Sequence, residues 1–96
     1  MTFRISRRAN ADIEAICDYV LKDNAEAANR LDERIHKTIE ILARFPKMGH
    51  TRGDVLDKHY LFWTVGNYVI AYRMMLGNQI IVVRVLHAAR DFRKLF

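Results

Sequence analysis

The chain has 96 residues, 51% of them apolar and 28% charged. That length holds one domain, and that balance excludes a disordered polymer. Sixteen Lys and Arg against eleven Asp and Glu give a net charge of +5, and arginine is the commoner base.

The excess is uneven. Met1 to Gly53 carries ten bases and eight acids, whereas Tyr60 to Phe96 carries five bases (Arg73, Arg84, Arg90, Arg93, Lys94) and the single acid Asp91. A basic C-terminal half favours an anionic partner, nucleic acid or an acidic protein, and serves solubility in any case. No apolar run approaches the roughly 18–20 residues needed to span a bilayer. Met1-Thr2-Phe3-Arg4-Ile5 has no signal-peptide core, so a soluble cytoplasmic domain is expected. The lone Cys17 excludes an internal disulfide and a Cys-rich zinc site.

Thr2 to Ile5 alternates polar and apolar residues and predicts a short first strand. Ser6 is placed to cap the helix that follows. Ala9, Ile13, Ile16, Cys17, Val20 and Leu21 form one apolar stripe, with Arg8, Asn10, Glu14 and Asp18 on the wet side. Cys17 lies in the stripe and reads as a small hydrophobe rather than a nucleophile. Asp23 or Asn24 starts a second helix, with Glu26 in its first turn. Its stripe is Ala27, Ala28, Leu31, Ile35, Ile39 and Leu42, and Phe45-Pro46 ends it because the residue before proline avoids helical backbone. The two helices form an antiparallel hairpin. A polar loop, Lys47 to Asp54, follows.

Tyr60 to Val65, Tyr68 to Met75 and Gln79 to His87 read as strands, joined by turns at Gly66-Asn67 and Gly77-Asn78. Simple alternation puts Ile81, Val83 and Val85 on one side of the last strand and Ile80, Val82 and Arg84 on the other. The fold class is α+β: an N-terminal strand, then an antiparallel helical hairpin packed on a twisted antiparallel sheet with a C-terminal three-strand meander. Two helices cover one sheet face. The other face is expected to be partly exposed and to carry Arg73 and Arg84.

Metal and cofactor signatures are missing: His36, His50, His59 and His87 are scattered, and Gly49, Gly53, Gly66 and Gly77 sit in turns. Ser6 is the only serine and serves as a cap. Asp12, Glu14 and Asp18 are carboxylates on one helix, and Glu14 and Asp18 lie on its solvated face. The informative stretch is the end, where His87, Arg90 and Asp91 follow the last strand. A histidine with arginines can act on a phosphodiester as acid and base. The alternative is structural, with Asp91 pairing Arg90 or Arg84. Phe92, Leu95 and Phe96 either fold back on the core or form an adhesive patch.

Four stretches together resemble the ParE branch of the RelE/ParE toxin superfamily. They are Ser6–Tyr19 (SRRANADIEAICDY), Arg44–Gly49 (RFPKMG), Val65–Arg73 (VGNYVIAYR) and Ile80–Asp91 (IIVVRVLHAARD). The resemblance covers nearly the whole of 1–96 as one toxin domain. It implies a toxin of a type II toxin–antitoxin system that arrests growth and can stabilise a plasmid. ParE-type members poison DNA gyrase, and RelE-type members cleave messenger RNA on the ribosome.

The resemblance further implies a small, acidic, partly disordered antitoxin, promoter DNA bound only through that antitoxin, and a homodimer or a heterotetramer with it. No cofactor or membrane is implied. Arg84, His87, Arg90, Arg93, Phe92 and Phe96 are the expected target contacts; Tyr68, Tyr72, Arg73 and Leu95 are the expected antitoxin contacts. In the ribonuclease alternative, Arg90, His87 and Arg84 are catalytic.

The ribonuclease set is incomplete. RelE-type enzymes carry arginine after the tyrosine of the third-strand turn, where Val69 follows Tyr68 here. Only Lys58 stands for their lysine-rich segment, and Leu95-Phe96 stands where they have a catalytic tyrosine. One arginine cannot both activate a 2′-hydroxyl and stabilise the phosphorane. An inhibitor that works by binding is therefore the expected activity, with a harmless binding module as a third alternative.

Overall fold

The computed structural model describes residues 3–96. In chain order the elements are β1 (Phe3–Ile5), α1 (Arg7–Leu21), α2 (Ala25–Arg44), β2 (Tyr60–Val65), β3 (Tyr68–Met74), β4 (Ile80–His87) and α3 (Phe92–Leu95). Thr2 lies outside the described residues. The helix signals act where the sequence puts them. The Ser6 hydroxyl accepts the Ala9 N–H at 3.0 Å, and the Asn24 side chain accepts the Ala27 N–H at 3.0 Å. These caps satisfy N–H groups that the first helical turn leaves unpaired. α2 stops at Arg44, ahead of Phe45 and Pro46.

The sheet order is β1-β4-β3-β2. β2, β3 and β4 form the antiparallel meander, and β1 adds parallel to β4. The hairpin packs on one face. Ile35, Ile39 and Leu42 of α2 are fully buried against Ile70, Tyr72, Ile80, Val82 and Val85. Each such aliphatic side chain contributes roughly 1.5–3 kcal/mol by leaving water.

Two features depart from the sequence reading. β4 carries a bulge: Ala71 faces Arg84 but Tyr72 faces Val82, so Val83 has no partner on β3. The extra residue resets the alternation. Val85 therefore shares the helix-side core with Ile80 and Val82, while Val83 packs on the opposite face.

The second departure is that opposite face, which is covered. Val55, Phe62, Val69, Ala71, Leu86 and Phe92 form a second buried cluster, with Tyr60, Val83, Leu95 and Phe96 against it. The loop between α2 and β2 supplies Val55, and the C-terminal segment supplies Phe92. The C-terminal segment is a one-turn helix capped by Asp91, whose carboxylate accepts the Arg93 N–H at 3.1 Å. The domain is thus a three-layer arrangement, thin on its second side.

Candidate functional site: a cationic surface at the end of the last strand

β1 is only three residues long, so it leaves most of the outer edge of β4 unpaired. Side chains of the preceding cap and of α1 complete that edge. The Ser6 hydroxyl donates to the Val83 carbonyl at 3.1 Å, and the Asp12 carboxylate accepts the Val85 N–H at 3.0 Å. The same carboxylate takes two hydrogen bonds from the Arg84 guanidinium, at 2.7 and 3.1 Å. Both side chains are largely removed from water, 13% and 15% exposed. Arg84 is therefore a strut between α1 and β4. It is neither on an open sheet face nor available as a target contact or catalytic base partner, and Asp91 is not its mate.

Asp12 was legible only as one of several carboxylates. Its signal is its place directly before the buried Ile13, three residues after the buried Ala9.

Beyond Arg84 the chain reaches the surface. His87 stands opposite Tyr68 across β3 and β4, and their rings meet edge to face at 5.5 Å. His87 Nδ1 accepts the Ala89 N–H at 3.0 Å. In the neutral ring that acceptor role for Nδ1 places the proton on Nε2. The Asn67 carbonyl accepts the Ala88 N–H at 2.9 Å, which ties the exit of β4 to the β2–β3 turn. At this end lies a cleft of about 570 Å³ lined by Ala15, Ile16, Tyr19, Asn67, Tyr68 and His87. Tyr19 is 71% exposed at its rim; the sequence pattern did not single it out.

Arg90 is exposed and makes no ion pair among the described residues. Arg93 is exposed and sits 3.4 Å from Asp91, which is the partner Asp91 does take. His87, Arg90 and Arg93 therefore form the accessible part of the expected target surface.

Of the two other expected contacts, Phe92 is internal and Phe96 is half-buried. Phe92 has no exposed surface and lies beneath the Arg52 guanidinium at 3.9 Å, so it anchors the tail and cannot touch a docked target. Arg52 is itself fixed by Asp54 through bonds of 2.9 and 3.0 Å. Its guanidinium, hydrogen-bonded to the Asp54 carboxylate, holds that carboxyl below the usual range. Phe96 is half-buried, edge to face with Tyr60 at 4.9 Å and Phe62 at 5.4 Å.

Among the expected antitoxin contacts, Tyr72 is also corrected. It is fully buried, with its hydroxyl donating to the Pro46 carbonyl and accepting the Gly49 N–H, both at 2.8 Å. Burial pushes its phenol up, against the Gly49 bond. Tyr68 and Leu95 are half-buried, and Arg73 lies over the Tyr60 ring at 5.0 Å. Cys17 is half-buried rather than buried, and burial pushes its thiol up, with Asp32 and Asp18 adding to the effect.

Among the described residues no helix is long and apolar enough to cross a membrane. Nor do three His, Cys, Asp or Glu side chains gather there as a metal site.

Comparison with known proteins places this geometry in a class. Residues 3–92 match the family described as the ParE toxin of the type II toxin–antitoxin system parDE. Toxin ParE1 of Caulobacter vibrioides is 33% identical over 92 residues, 95% of this chain and 93% of that protein. Toxin RelE2 of the same organism is 35% identical over 83 residues, 86% of this chain and 90% of that one. A solved structure of a chromosomal ParDE toxin–antitoxin system from P. aeruginosa shares the fold at a TM-score of 0.75 and 21% identity. The superposition covers 91% of this chain and 95% of that one. The chain belongs to the ParE toxin family of type II toxin–antitoxin systems.

Proposed function

We propose that the protein is the toxin of a type II pair that binds DNA gyrase and arrests replication, and that a cognate acidic antitoxin neutralises it. The observation that carries this reading is the ParE family match over residues 3–92. The solved ParDE neighbour supports an antitoxin partner.

The local chemistry favours binding over catalysis. Of the three residues a ribonuclease would use, Arg84 is held by Asp12 and cannot meet a phosphate without abandoning that carboxylate. What remains of the three is the His87 imidazole and the exposed Arg90 guanidinium; the exposed Arg93 on the following segment adds a further cation. Such a surface suits attraction to an anionic enzyme–DNA complex. An acidic antitoxin offsets the net +5 in the same way.

The test is a supercoiling assay with purified chain and purified gyrase. Inhibition that a co-purified antitoxin reverses is the expected result. The relative named RelE2 favours a second reading, messenger cleavage on the ribosome. Transcripts that are cut during growth arrest, and left intact by Arg90→Ala, would establish that reading instead.

A further inference from the structure

The cleft at the end of β4 carries more than charge. It opens between α1 and the ends of β3 and β4, and its volume of about 570 Å³ is that of a small-ligand site. Half of its lining is flat π systems: Tyr19, Tyr68 and His87. The Tyr68 and His87 rings stand at 83° to each other. A flat guest can therefore lie on one ring and meet the edge of the other. Tyr19 supplies a further ring, largely in water.

The polar groups suit the edge of a nucleobase. His87 Nδ1 is taken by the Ala89 N–H, which leaves Nε2 as the donor of the neutral ring. The exposed Asn67 amide offers both a donor and an acceptor. No carboxylate lines the cleft. Arginines stand on either side. The Arg90 N–H donates to the His87 carbonyl at 3.0 Å, a tight turn that keeps Arg90 beside the cleft. Arg34 of α2 lies against the β2–β3 turn, where a Cβ added to Gly66 would sit 3.6 Å from its Nη1. Both arginines are exposed, and neither has an ion pair among the described residues.

An acidic peptide would satisfy the two guanidinium groups and leave the rings unused. Duplex nucleic acid would do the same, since its bases are stacked out of reach. A nucleotide in a single strand uses every part: a base face for a ring, a base edge for His87 and Asn67, and phosphates for the arginines.

We propose that this cleft binds an unstacked nucleotide of a single-stranded nucleic acid. Its base lies against the Tyr19, Tyr68 and His87 rings, and its flanking phosphates lie on Arg34 and Arg90. Only the assignment of that strand to gyrase-bound DNA rests on the function proposed above.

The test titrates the full chain into fluorescein-labelled deoxythymidine and uridine decamers, read by anisotropy with no gyrase present. The tighter of the two identifies the sugar. That strand should bind about tenfold or more tighter than a duplex of equal length. Tyr19→Ala should weaken it by about tenfold, and Tyr19→Phe, which keeps the ring, should restore the affinity. Both variants should melt like the parent, because Tyr19 is exposed. Arg90→Ala should lower the slope of log affinity against log salt by about 0.7.

Three results would overturn the proposal: a duplex or a polyglutamate that binds as tightly as the single strands, parental affinity in Tyr19→Ala, or an unchanged salt slope in Arg90→Ala. Gyrase takes no part in this experiment, so a failed supercoiling assay and a failed strand-binding assay are distinguishable.

Discussion

Asp12 and Arg84, seventy-two positions apart, meet through two hydrogen bonds of 2.7 and 3.1 Å, and Asp12 also receives the Val85 N–H. One carboxylate thereby closes the edge of β4 and occupies an arginine that charge alone would assign to function. Replacing Asp12 by Ala strands a largely desolvated guanidinium and a backbone N–H together. A loss of about 2–4 kcal/mol is expected, read by denaturant unfolding. Asp12→Leu with Arg84→Met should recover part of that loss, since the unpaired charge is gone.

The tail is anchored at Phe92, which is fully buried, while Arg90 and Arg93 beside it are exposed. Phe92→Ala should cost about 3 kcal/mol, as a fully buried aromatic does. For a domain of this size that lowers Tm by more than about 10 °C. Deleting 92–96 should do at least as much, because the second cluster then loses Phe92, Leu95 and Phe96 together. Arg90→Ala, on an exposed side chain, should leave Tm within about 2 °C of the parent. A deletion variant that melts like the parent would show that the second cluster contributes nothing.

Gly49 passes so close to the Tyr72 ring that an added Cβ would come within 2.8 Å of Tyr72 Cε1 and closer still to its hydroxyl oxygen. The ring is buried and its hydroxyl is bonded to Pro46 and Gly49, so it cannot yield cheaply. Gly49→Ala should destabilise by about 1–3 kcal/mol. Tyr72→Phe should cost a similar amount by leaving the Gly49 N–H and Pro46 carbonyl without partners. Thermal melts of the two variants check both values.

Asp54 gives the second cluster an acid-sensitive edge. Its folded-state pKa lies below the unfolded value because Arg52 hydrogen-bonds to it. Its contribution is present in full above the unfolded pKa and is lost as pH falls through the folded one. Asp54→Asn should therefore melt below the parent near neutral pH, and the difference should begin to narrow as pH falls below about 4 and close only below the lowered folded-state pKa. A gap that persists unchanged at pH 2 would contradict this.

How far the sequence reached depends on the range of the interaction. Both helix starts depend on contacts three residues apart, Ser6 to Ala9 and Asn24 to Ala27, and were readable. The meander was readable from its turns. The side assignments of β4 were not, because Val83 bulges only in relation to β3. The Arg84–Asp12 pair and the burial of Tyr72 depend on partners across the fold. Cover for the second face came from Val55, isolated in a polar loop, and Phe92, in a tail whose sequence allowed either folding back or an adhesive patch. His87, Arg90 and Arg93, whose contacts are at most local along the chain end or across one strand pair, lie at the surface as the sequence suggested.

The central claim is that His87, Arg90 and Arg93 act by binding rather than by chemistry. The most direct measurement is gyrase supercoiling by the parent chain and by Arg90→Glu with Arg93→Glu. Inhibition by the parent and a loss of about tenfold or more in potency for the reversed pair are predicted. Full supercoiling in the presence of excess parent chain, or equal inhibition by the reversed pair, would contradict the account.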